Sequence, residues 1–287
     1  MKFFADTADI WEIDYCFSKG VNDGITTNPK IMESTGDLSL GFEGASKNIL
    51  KYFGNVPVSL ETDLYGLDVK NLKNIAPGEV KEALLKQAYT ISSWGKNTVI
   101  KIPFSEGGLL ATKELSQKGV KTNVTACMTP YQALTAAKFG ATYVSLFANR
   151  MLDAKILELS GHNLEEILTN PDWKEVVSEN KEKFFDIAWQ SVLSDISYVS
   201  EELESASSDL IVGSIRTPED IHKLVKAKPQ IITIPTKIVK GLENIHDLKN
   251  TRKTVEPVQA NYSKDLFHPM TQYTLEEFEE SAKKYRE

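Results

Sequence analysis

The run Thr98-Val99-Ile100-Lys101-Ile102-Pro103 places a lysine between two isoleucines in a segment of strand composition. An ammonium there would sit in a poorly hydrated interior, where desolvation penalises the charged form of an amine. Lys101 then reads in two ways. It is half of a buried ion pair with Glu61 or Asp6, or it is a nucleophile whose neutral form condenses with a carbonyl to give an imine. An imine with a ketose is an electron sink that lets the adjacent carbon–carbon bond break. That chemistry also needs a base for a hydroxyl proton and a second acid/base for imine formation. Asp6 and Glu61, each near the end of a strand-like run, are the carboxylates available, although a helix cap or salt bridge explains either one alone equally well.

A second cluster suits an anion. Gly213-Ser214-Ile215-Arg216-Thr217-Pro218 joins a strand-like run to a helix start. Backbone N–H groups, a serine hydroxyl and a guanidinium fork together make an anion site. Arg150, in Phe147-Ala148-Asn149-Arg150, offers a second cation, with a surface ion pair as the equal alternative.

The elements that must position these groups are short and repeated. Strand-like runs recur at Lys2–Asp6, Gly24–Asn28, Val56–Thr62, Asn97–Pro103, Lys121–Cys127, Ala141–Phe147, Asp209–Ile215 and Gln230–Pro235, separated by helix-length segments. Alternation of this kind predicts βα units and a parallel sheet. Eight units in 287 residues predict an α/β protein of one domain, residues 1–287, folded as a closed (β/α)8 TIM barrel. The gap between Phe147 and Asp209 is long and holds Asn170-Pro171-Asp172, so residues 151–208 read as a helical insertion within it. Thr129-Pro130-Tyr131-Gln132 and Thr217-Pro218-Glu219-Asp220 read as capping boxes with proline at the first helical position, and Gly140 as a helix stop. Asp9 and Glu12 open the first helix. Thr274-Leu275-Glu276-Glu277 reads as the cap of a C-terminal helix beyond the eighth unit, which closes the barrel or docks on another subunit.

A barrel interior is normally filled by branched apolar side chains. Here polar residues recur near the strand ends: Asp6; Thr26 and Asn28; Glu61; Lys101; Asn123 and Thr125; Ser145; Ser214 and Arg216. Members two residues apart share a strand face. The apolar residues between them (Ile25, Leu60, Ile100, Ile102, Val124, Val144, Leu146 and Ile215) should face the helices. Polar groups gathered at one end of seven strands indicate a site.

Composition narrows the function. Thirty-three basic against 40 acidic residues give a net charge of −7, which disfavours a nucleic-acid surface or a polybasic membrane anchor. No apolar run reaches membrane-spanning length, and the opening MKFFADTADI is too short and acidic for a signal peptide. Two cysteines, Cys16 and Cys127, make no disulfide framework, so a reducing cytoplasm is the expected setting. Four scattered histidines lack metal-ligand spacing, so no metal is expected, and no glycine-rich nucleotide fingerprint is present.

Phe3-Phe-Ala-Asp6, Asp23-Gly-Ile-Thr-Thr-Asn-Pro29, Val99-Ile-Lys-Ile-Pro103, Thr122-Asn-Val-Thr125, Ser145-Leu-Phe-Ala-Asn-Arg150 and Ser214-Ile-Arg-x-Pro218 resemble the transaldolase family. The match runs through all eight units in order and extends to His268-Pro-Met-Thr271, similar to the C-terminus of the compact members. The resemblance implies a cofactor-free Schiff-base enzyme of carbohydrate metabolism that moves a dihydroxyacetone unit from a ketose phosphate to an aldose phosphate. It puts Lys101 on the Schiff-base lysine and Asp6 on the carboxylate that takes the C4-hydroxyl proton. Glu61 with Thr125 falls on the pair that handles protons through a water. Asn28, Asn123 and Ser145 fall on groups that hold the dihydroxyacetone moiety, and Arg150, Ser214 and Arg216 on a phosphate clamp. Thr26 and Phe147 complete the candidate substrate-binding set.

The related fructose-6-phosphate aldolases carry Gln and Tyr where this chain has Glu61 and Phe147, so both positions favour transfer over release. Lys30, where the family usually has a small residue, and the long segment after Arg150 are departures near the rim. Three alternatives accompany the transaldolase expectation: a sulfonated ketose as donor, an aldolase releasing free dihydroxyacetone, and a non-catalytic sugar-phosphate binder. The family also suggests a homo-oligomer, and small-molecule sugar phosphates rather than nucleic acid or membrane as partners.

Overall fold

Each of the eight strand-like runs folds as a strand, trimmed at one or both ends in all but the first. They are β1 (Lys2–Asp6), β2 (Gly24–Thr26), β3 (Val58–Glu61), β4 (Thr98–Pro103), β5 (Thr122–Cys127), β6 (Tyr143–Phe147), β7 (Asp209–Gly213) and β8 (Ile231–Ile234). The computed structural model describes residues 1–258 and 264–285. Every neighbouring pair is parallel, and β1 bonds to both β2 and β8, so the sheet closes in sequence order. This is the (β/α)8 TIM barrel expected from the repeat.

The helices are α1 (Ile10–Ser18), α2 (Pro29–Thr35), α3 (Gly41–Tyr52), α4 (Pro77–Ser92), α5 (Glu106–Gln117), α6 (Pro130–Lys138), α7 (Ala148–Leu159), α8 (Glu166–Thr169), α9 (Trp173–Leu203), α10 (Pro218–Ala227), α11 (Thr236–Val239), α12 (Ile245–Lys249) and α13 (Pro269–Lys283). The segment between β6 and β7 thus holds three helices. The longest, α9, packs on α7, α6, α10 and β7, in the outer layer of the barrel.

Strand alternation separates two apolar regions. Ile25, Leu60, Ile100, Ile102, Val124, Val144, Leu146 and Ile215 are buried with the helices in one continuous core. Inside the barrel, Phe4, Ile211 and Ile231 form a separate small cluster, with Tyr143 edge-on to Phe4 at 6.1 Å. That cluster is the floor on which the polar strand ends stand. Gly24 makes room for it: a Cβ there would lie 2.6 Å from the Phe4 ring.

Local signals were read correctly at some helix starts and misread at others. The Thr217–Asp220 box forms in full. Thr129 caps α6, accepting from Gln132 N at 3.2 Å, but the box is only half made. The Gln132 amide instead accepts from Met128 N and donates to Leu266 O and Thr271 Oγ1, which ties the C-terminal segment to the end of β5. Asp9 caps α1, while the Glu12 carboxylate accepts from Thr7 rather than closing a box.

The cap expected at Thr274 is displaced by a turn and a half. Helix α13 starts at Pro269, whose fixed φ suits a first helical position, and His268 Nδ1 accepts from Met270 N at 3.1 Å. Thr274 lies buried inside the helix, its hydroxyl donating back to Met270 O.

Helix α13 crosses the C-terminal end of the barrel, packing on α2, α7, α8 and β5. Thr271 Oγ1 donates to Ala126 O at 2.9 Å, where β5 is irregular and Ala126 has a φ of 61°. The irregularity frees that carbonyl from the ladder and makes it an anchor for α13. No helix among the described residues is long and apolar enough to cross a membrane.

Gly24→Ala should destabilise the fold by about 1–3 kcal/mol, the usual cost of overpacking a filled interior. The denaturant midpoint measures it, and Phe4→Leu in the same chain should recover part of the loss. An unchanged midpoint for Gly24→Ala alone would show that the ring does not depend on the missing Cβ.

Candidate active site

A cavity of about 170 Å3 opens at the C-terminal ends of the strands, the end where barrel sites are built. Lys101 lies at its base, and Asp6, Thr26, Asn28, Ser145, Phe147, Arg150 and Ser214 line it with Lys30, Thr233, Ile211 and Phe278. A second cavity of about 190 Å3, between α4, α5 and residues 266–275, is mainly apolar and holds none of the candidate site residues.

Lys101 and Glu61 are direct partners in the β3–β4 register. Lys101 Nζ stands 3.0 Å from Glu61 Oε2, and both side chains are almost fully buried. The ammonium's directed hydrogen bond goes to Thr27 O at 2.9 Å. Among the described residues Lys101 is the one polar partner at Glu61, joined to it by opposite charge and a close N–O approach. Burial pushes the Glu61 carboxyl up to about 7, against the opposing pull of the Lys101 charge. A carboxyl in that range can take up or release a proton at neutral pH.

Asp6 is raised as well, by desolvation, with the Thr26 hydrogen bond and the Lys101 charge pulling the other way. Thr26 Oγ1 donates to Asp6 Oδ1 at 2.6 Å. Since that proton is committed, Thr233 must donate in the close contact between the Thr26 and Thr233 hydroxyls. The eighth strand therefore also contributes a polar group. Its signal was the lone threonine in Ile231-Ile-Thr-Ile234.

The middle of the barrel is polar and connected. Ser145 Oγ donates to Asn123 Oδ1 at 2.7 Å, and Asn123 Nδ2 donates to Ser59 Oγ at 3.2 Å. Thr125 is fully buried two strands from Glu61, its hydroxyl without a hydrogen-bond partner among the described residues. Neither Asn123 nor Thr125 lines the cavity wall itself. Asn28 caps α2, accepting from Ile31 N at 2.8 Å, which fixes its amide at the rim.

Two rings cover the amine. Phe278 of α13 places its centroid 5.9 Å from Lys101 Nζ and packs tilted on Phe147 at 6.3 Å. Phe278 is a site residue the sequence reading missed, because its helix lies far along the chain.

The anion site expected after β7 is occupied from within. Arg216 does not line the cavity; its guanidinium forks onto both oxygens of Asp153 on α7. The backbone N–H groups of Arg216 and Thr217, which were to face an anion, donate to Asp220 Oδ2 at 2.9 and 3.1 Å. Asn149, also missed, donates to Ser214 O and to Asp220 Oδ2, both at 2.7 Å, and braces the turn in which Ser214 takes a φ of 62°. The physical reason for the difference is two acids, Asp153 and Asp220, that satisfy the donors first. Ser214 and Arg150 do reach the cavity, and Arg150 is paired with Glu277 of α13. Among the described residues no group of His, Cys, Asp and Glu is arranged to hold a metal ion.

The arrangement sets a buried amine against one carboxyl, with a second carboxyl, Asp6, on the wall of the cavity. Residues 3–287 match the profile of the Transaldolase/Fructose-6-phosphate aldolase family. A probable transaldolase of Coprothermobacter proteolyticus is 32% identical over 264 residues, 92% of this chain and 97% of that protein. One of Thermodesulfovibrio yellowstonii is 32% identical over 250 residues, 84% of this chain and 90% of that protein. The match to a probable transaldolase of Anaeromyxobacter sp. (strain K) is 39% identical over 153 residues and spans 53% of this chain and 62% of that protein, under two thirds of its length.

Infrared difference spectra recorded between pH 5 and 9 should show a carboxylic acid band lost with a midpoint near 7, since burial raises Glu61 to about 7. Glu61→Gln should remove that band. A midpoint in the ordinary carboxylate range would show that burial does not hold the proton on Glu61.

Proposed function

Because this chain belongs to the transaldolase/fructose-6-phosphate aldolase family and is an enzyme of the transaldolase type, we propose that it transfers a dihydroxyacetone unit from a ketose phosphate, such as fructose 6-phosphate, to an aldose phosphate through an imine on Lys101. The observation that carries this reading is the buried contact between Glu61 and Lys101, whose amine lies at the base of a cavity at the C-terminal ends of the strands.

In the reading, the pair exchanges a proton before chemistry begins. Burial penalises both charges, and moving the proton from Lys101 to Glu61 abolishes both at once. The neutral amine adds to the C2 carbonyl of the donor. Glu61, with Thr125 and a water between them, returns a proton to the departing hydroxyl, and water leaves as the iminium forms. Asp6, held by Thr26 and Thr233, takes the C4-hydroxyl proton as the C3–C4 bond breaks. The bond electrons pass into the iminium, giving an enamine and a free aldose phosphate. The enamine then attacks the carbonyl carbon of the acceptor, Asp6 returns its proton to the new alkoxide, and hydrolysis of the iminium restores the amine.

Transfer rather than release follows from what surrounds the enamine. Phe147 and Phe278 bring rings and no hydroxyl to this part of the cavity, so position 147 offers no phenol to help water protonate the enamine carbon, and the Ser145 hydroxyl on the same strand is committed to Asn123. Asn28, Asn123 and Ser145 serve in this reading to hold the three-carbon unit. Ser214 and Arg150 face the phosphorylated end of the donor. Arg216 acts behind them by bracing the turn through Asp153.

Borohydride added with fructose 6-phosphate should leave a reduced three-carbon adduct on the peptide carrying Lys101, detected by mass spectrometry. Lys101→Ala should form no adduct and show no turnover; a Lys101→Ala protein that still transferred would overturn the reading. Phe147→Tyr should raise release of free dihydroxyacetone in the absence of acceptor, measured by a coupled reduction. An unaltered release rate would show that the β6 ring does not control the fate of the enamine.

A further inference from the structure

Lys30, Lys174 and Glu277 have no part in the chemistry above, yet they meet beside Arg150, and of the four Lys30 and Arg150 line the same cavity. Glu277 Oε2 is 2.5 Å from Arg150 Nη2, and Oε1 lies 3.7 Å from Lys30 Nζ and 3.8 Å from Lys174 Nζ. The Tyr273 hydroxyl donates to Oε1 at 3.0 Å. Lys174, at the start of α9, also lies over the rings of Trp173 and Tyr273. Three cations therefore share one carboxylate. Glu33, the other acid whose field reaches Lys30, is itself paired with Lys284 at 2.5 Å. Among the described residues, the ion pairs at this rim set three positive charges against the single negative charge of Glu277.

Lys30 and Arg150 both line the cavity, whereas Arg216 is spent on Asp153. We propose that Lys30, Arg150 and Lys174 form the subsite for the dianionic phosphate of the donor, with Glu277 as an internal counter-ion that the phosphate displaces. The identity of the ligand rests on the transaldolase reading; the anion site itself does not.

Charge decides between the two anions the donor could carry. With Glu277 displaced, three cations face the ligand, so a phosphate dianion neutralises more of their charge than a sulfonate monoanion does. Glu277 is a genuine competitor for the same donors. Burial works to raise its carboxyl, but the Arg150 charge and hydrogen bond, with Lys30 and Tyr273, hold it below the usual carboxylate range. It is ionised at neutral pH and must yield Arg150 before an incoming oxyanion can take it. A ligand binding only the form with Glu277 withdrawn loses affinity in proportion to how rarely that form occurs.

The test is calorimetric titration of the full chain and of the Glu277→Gln and Lys30→Gln variants with inorganic phosphate and with methanesulfonate. Glu277→Gln should tighten phosphate binding and Lys30→Gln should weaken it, each by roughly tenfold, the scale of one charge-assisted contact. Methanesulfonate should bind more weakly than phosphate throughout. The KM for fructose 6-phosphate should move in the same directions, while the concentration dependence of imine trapping with uncharged dihydroxyacetone should not follow. Phosphate binding that ignores both variants, binding absent from every protein, or a preference for methanesulfonate would each overturn the inference. Phosphate binding that obeys the pattern in a chain forming no imine with any ketose would instead overturn the transaldolase reading and leave the rim site standing.

Discussion

One buried contact sets the terms for the rest of the molecule: an amine and a carboxylate 3.0 Å apart inside a barrel, with little water around either. Taking two charges out of water costs several kcal/mol for each, and their attraction repays that cost only when geometry and further hydrogen bonds are good. Here the further bonds are few. Lys101 has Thr27 O, and beyond Lys101 itself Glu61 has none among the described residues. The pair is held by strand register and not by its own strength. The surrounding barrel pays for keeping it, and a contact of that kind persists where chemistry needs a proton to move.

The barrel can carry this burden because its stability resides elsewhere. Ile25, Leu60, Ile100, Ile102, Val124, Val144 and Leu146 all point outward into a continuous core shared with the helices. The inside holds only a small apolar floor, Phe4, Ile211 and Ile231, below a polar layer of Ser59, Asn123 and Ser145. Alternation along each strand thus divides the labour, one face for cohesion and one for the site.

This division is why so much was legible in the sequence. Strand periodicity marked Lys101, Glu61, Asp6, Thr26 and Ser145 as facing one way, and the closed sheet brings them to one end. Local chemistry also marked caps at Thr217 and Asp9. What was not legible are partnerships across long stretches of chain. Nothing near Arg216 indicates that Asp153 will take its guanidinium, and nothing near Arg150 indicates Glu277. Arg216 reads as an anion ligand, and Arg150 as either that or half of an ion pair with no acid named, because the acids that take them sit far along the chain. Thr274 read as a cap because its own neighbours suit one, yet Pro269 and His268 supply a better start to the helix.

Helix α13 shows how such distant partnerships are enforced. Its first turns are fixed to β5 by Thr271 on the exposed carbonyl of Ala126 and by the Gln132 amide on Leu266 and Thr271. About two turns further along, the same helix delivers Phe278 over Lys101 and Glu277 to Arg150. A rigid helix pinned at one end transmits that placement to the next turns with little freedom left. The irregularity in β5 that exposes Ala126 O immediately follows Thr125. One local departure from regular pairing therefore serves two purposes: it interrupts the register beside the buried Thr125 hydroxyl and anchors the helix that roofs the amine. The adjacency of the two roles makes the shape of the cavity a consequence of the barrel's own backbone.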